Sequence, residues 1–521
     1  MPTPLTWSSI ITTPLSNNNN IDSLLFGVNW LSSNIIYSYP TTGSLWSTSS
    51  TTGYGPTTGN REPWSNFYDV TSQSDRKFIS QMLQKWTDVA NLTFTEVSDT
   101  STIVGDIRFA YSYSENLKDL QAWAYSPGSD SSSGDMWFNA LGSSAKKEFK
   151  AGTYEGFTLL HELGHALGLK HPFSASKRVD SILSDSWDSQ SFTVMSYSPS
   201  TDKQAKSATY FPTTLMLLDI QAIQYLYGVN YNHNAGNNIY LYSDVTDYRE
   251  TIWDGGGIDS INYSGTRDAI IDLREGYGSQ IGNPIYSLSE TGLKISTLNN
   301  VWIAYGVTIE NAFGGSGDDQ ITGNSADNSL NGGNGNDTLN GGAGIDTAVY
   351  AAKRSNYTLT KGASTYSVID KTGVDGSDTL TNIERLQFSD RTVAFDINGT
   401  AGQSYRVYQA AFNRTPDNGG LKYWIEMMDG GKKLSEVASG FIESNEFKSL
   451  YGANPSNDQF VNKLYSNVLG RAPDAGGFNY WVDLLNNKQI DMTSTLVNFS
   501  ESPENQAGVI GVIQNGIELL N

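Results

Sequence analysis

The chain has 521 residues, 38% apolar and 17% charged, which suits about three domains with real cores. It contains no cysteine, so disulfide scaffolds, thiolate metal sites and cysteine nucleophiles are excluded. A formal charge of −21 argues against nucleic acid or an anionic membrane as partner, and leaves room for cations that bind carboxylates.

Residues 1–20 are rich in Thr, Ser and Asn and read as a flexible leader. They lack the basic start and apolar core of an ordinary signal peptide, and no apolar run anywhere is long enough to span a membrane. Residues 21–235 read as mixed α and β. Phe78, Met82, Trp86, Val89 and Ala90 form one stripe of a helix over 74–91, with Ser74 as N-cap. The alternation Ile107, Phe109, Tyr111 predicts a half-buried strand, and Met136–Phe138 a shorter one. Thr158–Leu167 and Thr214–Tyr227 read as helices closed by Gly168 and Gly228.

Over residues 236–397 the helical pattern disappears and Gly, Asn and Asp dominate. A repeat of period nine runs from Gly314 to Val349 as GGSGDDQIT, GNSADNSLN, GGNGNDTLN and GGAGIDTAV. Helical patterning returns over 398–521. There RTPDNGGLKYW (414–424) recurs as RAPDAGGFNYW (471–481), so two copies of one helical unit are expected. The fold class expected is therefore multidomain α+β.

Three of the four histidines fall within eleven residues, His161, His165 and His171. His161 and His165 stand four apart, so both imidazoles leave one helix face and can reach one zinc ion. Glu162 lies beside that ion, placed to take a proton from water without occupying a ligand position. Gly168 can turn the chain back and let His171 supply a third nitrogen. Three protein ligands leave one position open, the mark of a catalytic rather than structural zinc. His233 lies outside this group and reads as a loop residue.

In each nonapeptide the glycines open the turn and its carbonyls, and the aspartate offers a hard oxygen to calcium. By pattern the ligating turns are Gly315, Gly317 and Asp319; Gly333, Gly335 and Asp337; and Gly342, Gly344 and Asp346, with Asn328 in a degenerate unit. Ile321, Leu330, Leu339 and Ala348 should point inward. Several structural calcium ions are expected in a parallel β-roll. Without them the stacked carboxylates would repel and the glycine-rich chain would stay unfolded.

These motifs carry a resemblance. HELGHALGLKH (161–171) followed by Val194-Met195-Ser196-Tyr197 is similar to the metzincin zinc motif and its Met-turn. Together with the calcium nonapeptides, and with WTDVANLTF (86–94), GDMWFN (134–139), LDIQAIQYLYG (218–228), WDGGG (253–257) and TIENA (308–312), the chain resembles the serralysins, RTX-bearing secreted zinc proteases. The resemblance covers about residues 21–397. It implies a metzincin catalytic domain (21–235), an RTX β-roll domain (236–397) and, beyond the family pattern, an all-α module (398–521).

The resemblance further implies Glu162 as general base, Met195 as an apolar floor, and Tyr197 as a fifth zinc ligand that swings to hydrogen-bond the oxyanion. It adds Asp254, Gly256, Gly257, Asp259, Thr308 and Glu310 to the calcium set. An extended protein or peptide substrate is expected along an edge strand, for which Gln121–Tyr125 is the candidate. Export by a type I exporter to the extracellular space or cell surface is implied, with calcium folding the roll outside. Two features depart from the family: only about 20 residues precede the match, and about 120 follow the roll, ending in Ile517–Leu520.

In the C-terminal module Arg414/Asp417 and Arg471/Asp474 read as loop-bracing ion pairs, with binding to a cell-surface polymer or protein partner as the alternative. The rival reading of the whole chain is an RTX adhesin with a vestigial protease domain; a dedicated processing protease for one surface protein is the third.

Overall fold

The computed structural model describes residues 10–64, 68–69 (backbone only), 72–115, 119–141, 149–362 and 364–520. The chain forms two compact units, residues 1–321 and 322–521.

The first unit opens with strand β1 (Ile10–Thr12), antiparallel to β2 (Val28–Trp30), with helix α1 (Asn19–Asp22) between them. The expected flexible leader is thus ordered from Ile10 on. Asn18 caps α1, and Ser16 places its amide and hydroxyl on the Asp22 carboxylate, both at 2.7 Å. The polar run makes caps and turns rather than slack chain.

A mixed sheet follows, built from β3 (Asn34–Ser38), β4 (Tyr68–Asp69), β5 (Thr93–Glu96), β6 (Ile107–Ser112), β7 (Ala122–Ala124) and β8 (Met136–Asn139). Its main order is β5-β3-β6-β8-β7, parallel except for β7, which runs antiparallel to β8 at the edge. Strand β6 is buried at every position, not half-buried. The loop before α2 lays Trp46 and Tyr54 over Ala110 and Trp137 and so covers the second face.

Helix α2 (Gln73–Val89) buries Phe78, Met82, Trp86 and Val89 as the periodicity requires. Its N-cap is Ser72, whose hydroxyl accepts from the Asp75 amide at 3.3 Å, and not Ser74, which lies inside the first turn. Helix α3 (Tyr154–Leu167) starts a turn earlier than expected, on the Thr153 cap. After β9 (Ser207–Ala208), helix α4 (Leu217–Tyr227) starts three residues late, where Asp219 accepts from the Met216 amide.

Short parallel strands then take over. Ile239–Tyr242, Ser260–Tyr263 and Asn311–Phe313 pair in one sheet, and Glu250–Ile252 pairs with Val301–Ile303 in another. In the second unit Ser329–Asn331, Thr347–Val349 and Arg385–Gln387 are parallel, as are Thr338–Asn340 and Ser377–Thr381. Ser329 stands opposite Thr347, so a nine-residue sequence repeat becomes an eighteen-residue structural one. Consecutive nonapeptides go to alternate sheets. Ile321, Leu330, Leu339 and Ala348 are all buried, as the pattern demands.

The C-terminal module holds helices α5 (Thr400–Phe412), α6 (Asn418–Asp429), α7 (Leu434–Glu443), α8 (Asn445–Tyr451), α9 (Asn457–Val468), α10 (Ala475–Asn486), α11 (Met492–Ser500) and α12 (Pro503–Ile513). Asp417 and Asp474 cap α6 and α10 in the same way, each accepting from a glycine amide at 2.8 Å. Arg414 and Arg471 reach those aspartates at 3.3 and 3.7 Å, but their shorter pairs are with Glu446 and Glu504, at 2.7 and 2.6 Å. Trp424 and Trp481 pack on the core around Phe441 and Phe499. Ile517–Leu520 is a full strand, antiparallel to Arg391–Ala394, with Ile517 and Leu519 buried. No helix among the described residues is long and apolar enough to cross a membrane.

Candidate active site

Helix α3 carries His161, Glu162 and His165 and ends at Gly168, whose φ of 109° no side chain would favour. The turn returns the chain so that His171 Nε2 lies 3.1 Å from His161 Nε2 and 3.0 Å from His165 Nε2. His161 Nδ1 donates to the Val194 carbonyl at 2.8 Å, and His165 Nδ1 to the Leu169 carbonyl at 2.9 Å. Carbonyls only accept, so both protons sit on Nδ1 and both Nε2 lone pairs are free. With His171 in the same tautomer, three lone pairs converge at 3.0–3.1 Å and would repel unless a cation lay among them. Four-coordinate zinc with bonds of ~2.0–2.1 Å would space its nitrogens about 3.3 Å apart, so the triad fits that ion. It is the one His/Asp/Glu group of this kind among the described residues.

Burial keeps the imidazoles neutral. It pushes His161 and His165 down, and His171 to about 3, where the charges of His165 and Lys170 add to the effect. Burial pushes the Glu162 carboxyl up to about 8, partly offset by the Ala124 amide that donates to it. Tyr197 is 63% exposed, its ring centroid 4.6 Å from that of His171 and 5.6 Å from that of His161. Lost hydration, then the Glu162 charge, lifts its hydroxyl to about 12. Tyr197 is thus at the site, stacked beside the ligands rather than buried beneath them.

Met195 is fully buried under α3. A Cβ at Gly164 would lie 2.4 Å from its sulfur, so the glycine between the two helix histidines makes room for the floor. The turn is held by a residue the motif reading assigned no role. Asp219 of α4 accepts from the Thr193 hydroxyl at 2.6 Å, the Val194 amide at 2.7 Å and the Met216 amide at 2.9 Å. Val194 then holds His161. The signal was a lone carboxylate at the start of an otherwise apolar helix, and burial pushes it up to about 7.

The candidate Gln121–Tyr125 contains β7 (Ala122–Ala124), which among the described residues stands at the edge of its sheet. A cavity of about 230 Å³ opens between it and α3, lined by Ala122, Tyr154, Phe157, Glu162, Gln190 and Tyr197 among others. His233 lies in a loop away from this centre, with Nδ1 3.4 Å from an Asp88 oxygen.

The calcium candidates fall in turns of the parallel strands. In the first unit Asp254 accepts from the Gly256 amide at 2.7 Å and the Tyr240 hydroxyl at 2.6 Å. Asp259 accepts from the Asn238 amide and gives its own amide to Glu310 at 2.7 Å. Gly256 and Gly257 both have positive φ. Asp319 takes the Ala269 and Gly315 amides at 2.7 and 2.8 Å, and the turn through Gly315 and Gly317 packs on residues 265–267. The Thr308 side chain is exposed.

In the second unit Gly333, Gly335, Gly342 and Gly344 have positive φ. Asn328 gives its amide to Asp346 at 2.8 Å. Asp337 and Asp346 give theirs to Asp378 at 3.0 Å and Glu384 at 2.9 Å. Asp378 and Glu384 stand outside the nonapeptides, so the repeat could not reveal them. One oxygen each of Asp259 and Asp346 is buried without a hydrogen-bond partner among the described residues. Burial pushes Asp259 and Asp319 up to about 6 and Asp346 to about 7, with neighbouring carboxylates adding to each. Buried carboxylates with spare oxygens beside like charges fit a hard divalent cation.

Residues 64–228 match the matrixin family model, and 217–416 match the model for the peptidase M10 serralysin C terminal. Residues 404–450 and 438–509 match a domain of unknown function (DUF4214). Serralysin of Proteus mirabilis is 35% identical over 294 residues, covering 51% of this chain and 56% of its own length. Serralysin B of Dickeya chrysanthemi is 38% identical over 260 residues, 46% of this chain and 50% of its own. The chain therefore spans about half the length of the curated relatives it matches. The two family matches overlap over residues 217–228 and together run from the histidine helix through the parallel strands, and with the curated relatives they support a serralysin-family metzincin, with a helical module of unassigned function appended.

Proposed function

We propose that the protein is a secreted zinc metalloendopeptidase whose second half is held folded by calcium. The observation that carries the reading is the three-imidazole convergence with Glu162 beside it and an open face toward the edge strand. Zinc held by His161, His165 and His171 would polarise a peptide carbonyl and acidify water.

The chain's own residues do the rest. The outward amide and carbonyl groups of β7 align an extended peptide. Glu162 takes the proton of the attacking water and passes it to the departing amine. Its burial suits it to hold a proton in transit. The Tyr197 hydroxyl swings to donate to the developing oxyanion. Asp254, Asp259, Glu310, Asp319, Asn328, Asp337 and Asp346, with their turn glycines and Thr308, would hold calcium. In calcium-poor cytosol the coils would stay open, which suits passage through a type I exporter before folding outside. The C-terminal module braces itself through its own ion pairs, which supports a structural or docking role rather than a catalytic one.

The test is cleavage of casein or a quenched peptide in millimolar calcium, beside Glu162→Ala. We expect a ~10²–10⁴-fold loss in the variant with zinc content unchanged. A wild type that holds zinc, is folded and cleaves nothing would transfer the reading to a binding protein.

A further inference from the structure

We propose that Glu62 is a positioning residue for Glu162, acting through the edge strand that lies between them. The inference rests on the peptidase reading and names a part of its machinery that no motif marks. Glu62 is 5% exposed, far from water for a carboxylate. A charge so placed is costly unless it is bonded. Its Oε1 accepts from Trp123 Nε1 at 3.1 Å and from the Tyr125 hydroxyl at 2.8 Å. Its backbone carbonyl accepts from the Ser112 hydroxyl at 3.0 Å, which ties it to the end of β6.

Residues 123 and 125 alternate with 124 and project to one face of the strand. Both end on one oxygen of Glu62, so a single group fixes the place and the twist of β7. The strand needs such an anchor, because it has three residues and, among the described residues, one neighbouring strand. Toward β8 it pairs with Trp123 opposite Trp137, and the ladder continues beyond the strand at both ends: Tyr125 N to Asp135 O at 3.0 Å, Gly134 N to Tyr125 O at 3.1 Å, and Asn139 N to Gln121 O at 3.0 Å. The amide between, on Ala124, is free to face α3, and it donates to the Glu162 carboxylate. A slide or roll of β7 would carry that amide away from the base and also shift the edge where a peptide pairs. The bonds Glu62 receives are charge-assisted, about twice as strong as neutral ones, which suits a clamp.

The experiment compares Glu62→Leu, Glu62→Gln and the Trp123→Phe/Tyr125→Phe double variant in the full chain with calcium and zinc. Amide exchange should accelerate about tenfold or more over residues 120–126 in Glu62→Leu and the double variant, and stay unchanged over 157–167. Zinc content should not change. Turnover should fall about tenfold, and Glu62→Gln, which keeps one accepting oxygen, should recover to within about threefold. The decisive readout is coupling. In a Glu162→Asp background, whose side chain is one methylene shorter and draws the carboxylate back from Ala124, Glu62→Leu should cost less than twofold.

An equal tenfold loss in both backgrounds would show a merely structural residue and overturn the proposal. So would unchanged exchange over 120–126. If Glu62→Leu fails to fold, Glu62→Gln and the aromatic double variant carry the same comparison. A zinc-loaded wild type that cleaves nothing would overturn the peptidase reading itself, an outcome distinct from additive losses in an active enzyme.

Discussion

Asp219→Ala should loosen the zinc centre from behind, and its cost should shrink as pH rises. The side chain is fully buried and accepts three hydrogen bonds, from Thr193, Val194 and Met216. Thr193 can re-aim its hydroxyl, but the two amides cannot. Each buried unsatisfied amide costs about 1–3 kcal/mol, so their loss amounts to about 2–6 kcal/mol.

The native carboxylate also carries a penalty. Its pKa is raised to about 7, from an ordinary value near 3.9, so the folded state holds a proton that the unfolded state releases. Wild-type stability therefore falls as pH rises from about 4 to about 7, by up to about 1.4 kcal/mol per unit. Above that window the alanine variant escapes this term, and its net deficit should be smaller at pH 8 than at pH 5. Asp219→Asn should keep both amide bonds through its oxygen and match or exceed wild type at pH 8.

Because Val194 orients His161, zinc affinity should drop about 10–100-fold in the alanine variant and little in the asparagine one. Thermal melts at the two pH values and zinc titration against a competing chelator measure both. Unchanged zinc affinity in Asp219→Ala, or a deficit that grows with pH, would refute the argument.

Removing calcium with a chelator should abolish the β signal of the glycine-rich coils, and Asp346→Ala should move the calcium midpoint upward; circular dichroism during a calcium titration reads both. Leu339→Ala, at a fully buried inward position, should destabilise the second unit by about 2–5 kcal/mol, whereas Leu520→Ala, 54% exposed, should be near neutral by denaturant melts. In metal-free protein the three imidazoles have pKa values depressed below 6.5, so the unfolded state takes up their protons first and stability falls on acidification below about pH 6.5. His171→Asn should weaken that pH dependence; an unchanged slope from pH 7.5 to 5.5 would contradict it. Arg471→Ala should cost under about 1 kcal/mol, because its pair with Glu504 is half exposed.

The amino-acid order alone determined the features that depend on near neighbours. The i, i+4 histidines, the glycine that ends their helix and the nonapeptide turns are local geometry, and each is in place. The inward positions Ile321, Leu330, Leu339 and Ala348 also follow from a fixed repeat. Cap choice was less legible, since Ser72 and Ser74 offer the same hydroxyl and the start of the apolar face decides between them.

Contacts between segments distant in the chain were decided by the tertiary structure. Asp219 meets the Val194 turn 25 residues away, Glu62 meets Trp123 and Tyr125 over 61 and 63 residues, and Asp378 and Glu384 complete turns 41 and 38 residues earlier. None of these carboxylates sits in a periodic pattern. Glu62, Asp219 and Asp378 are marked only by being buried, and Glu384 by being half-buried; burial is a property of what the rest of the chain packs around a residue, because the cost of taking a charge from water is offset only by donors that folding brings to it.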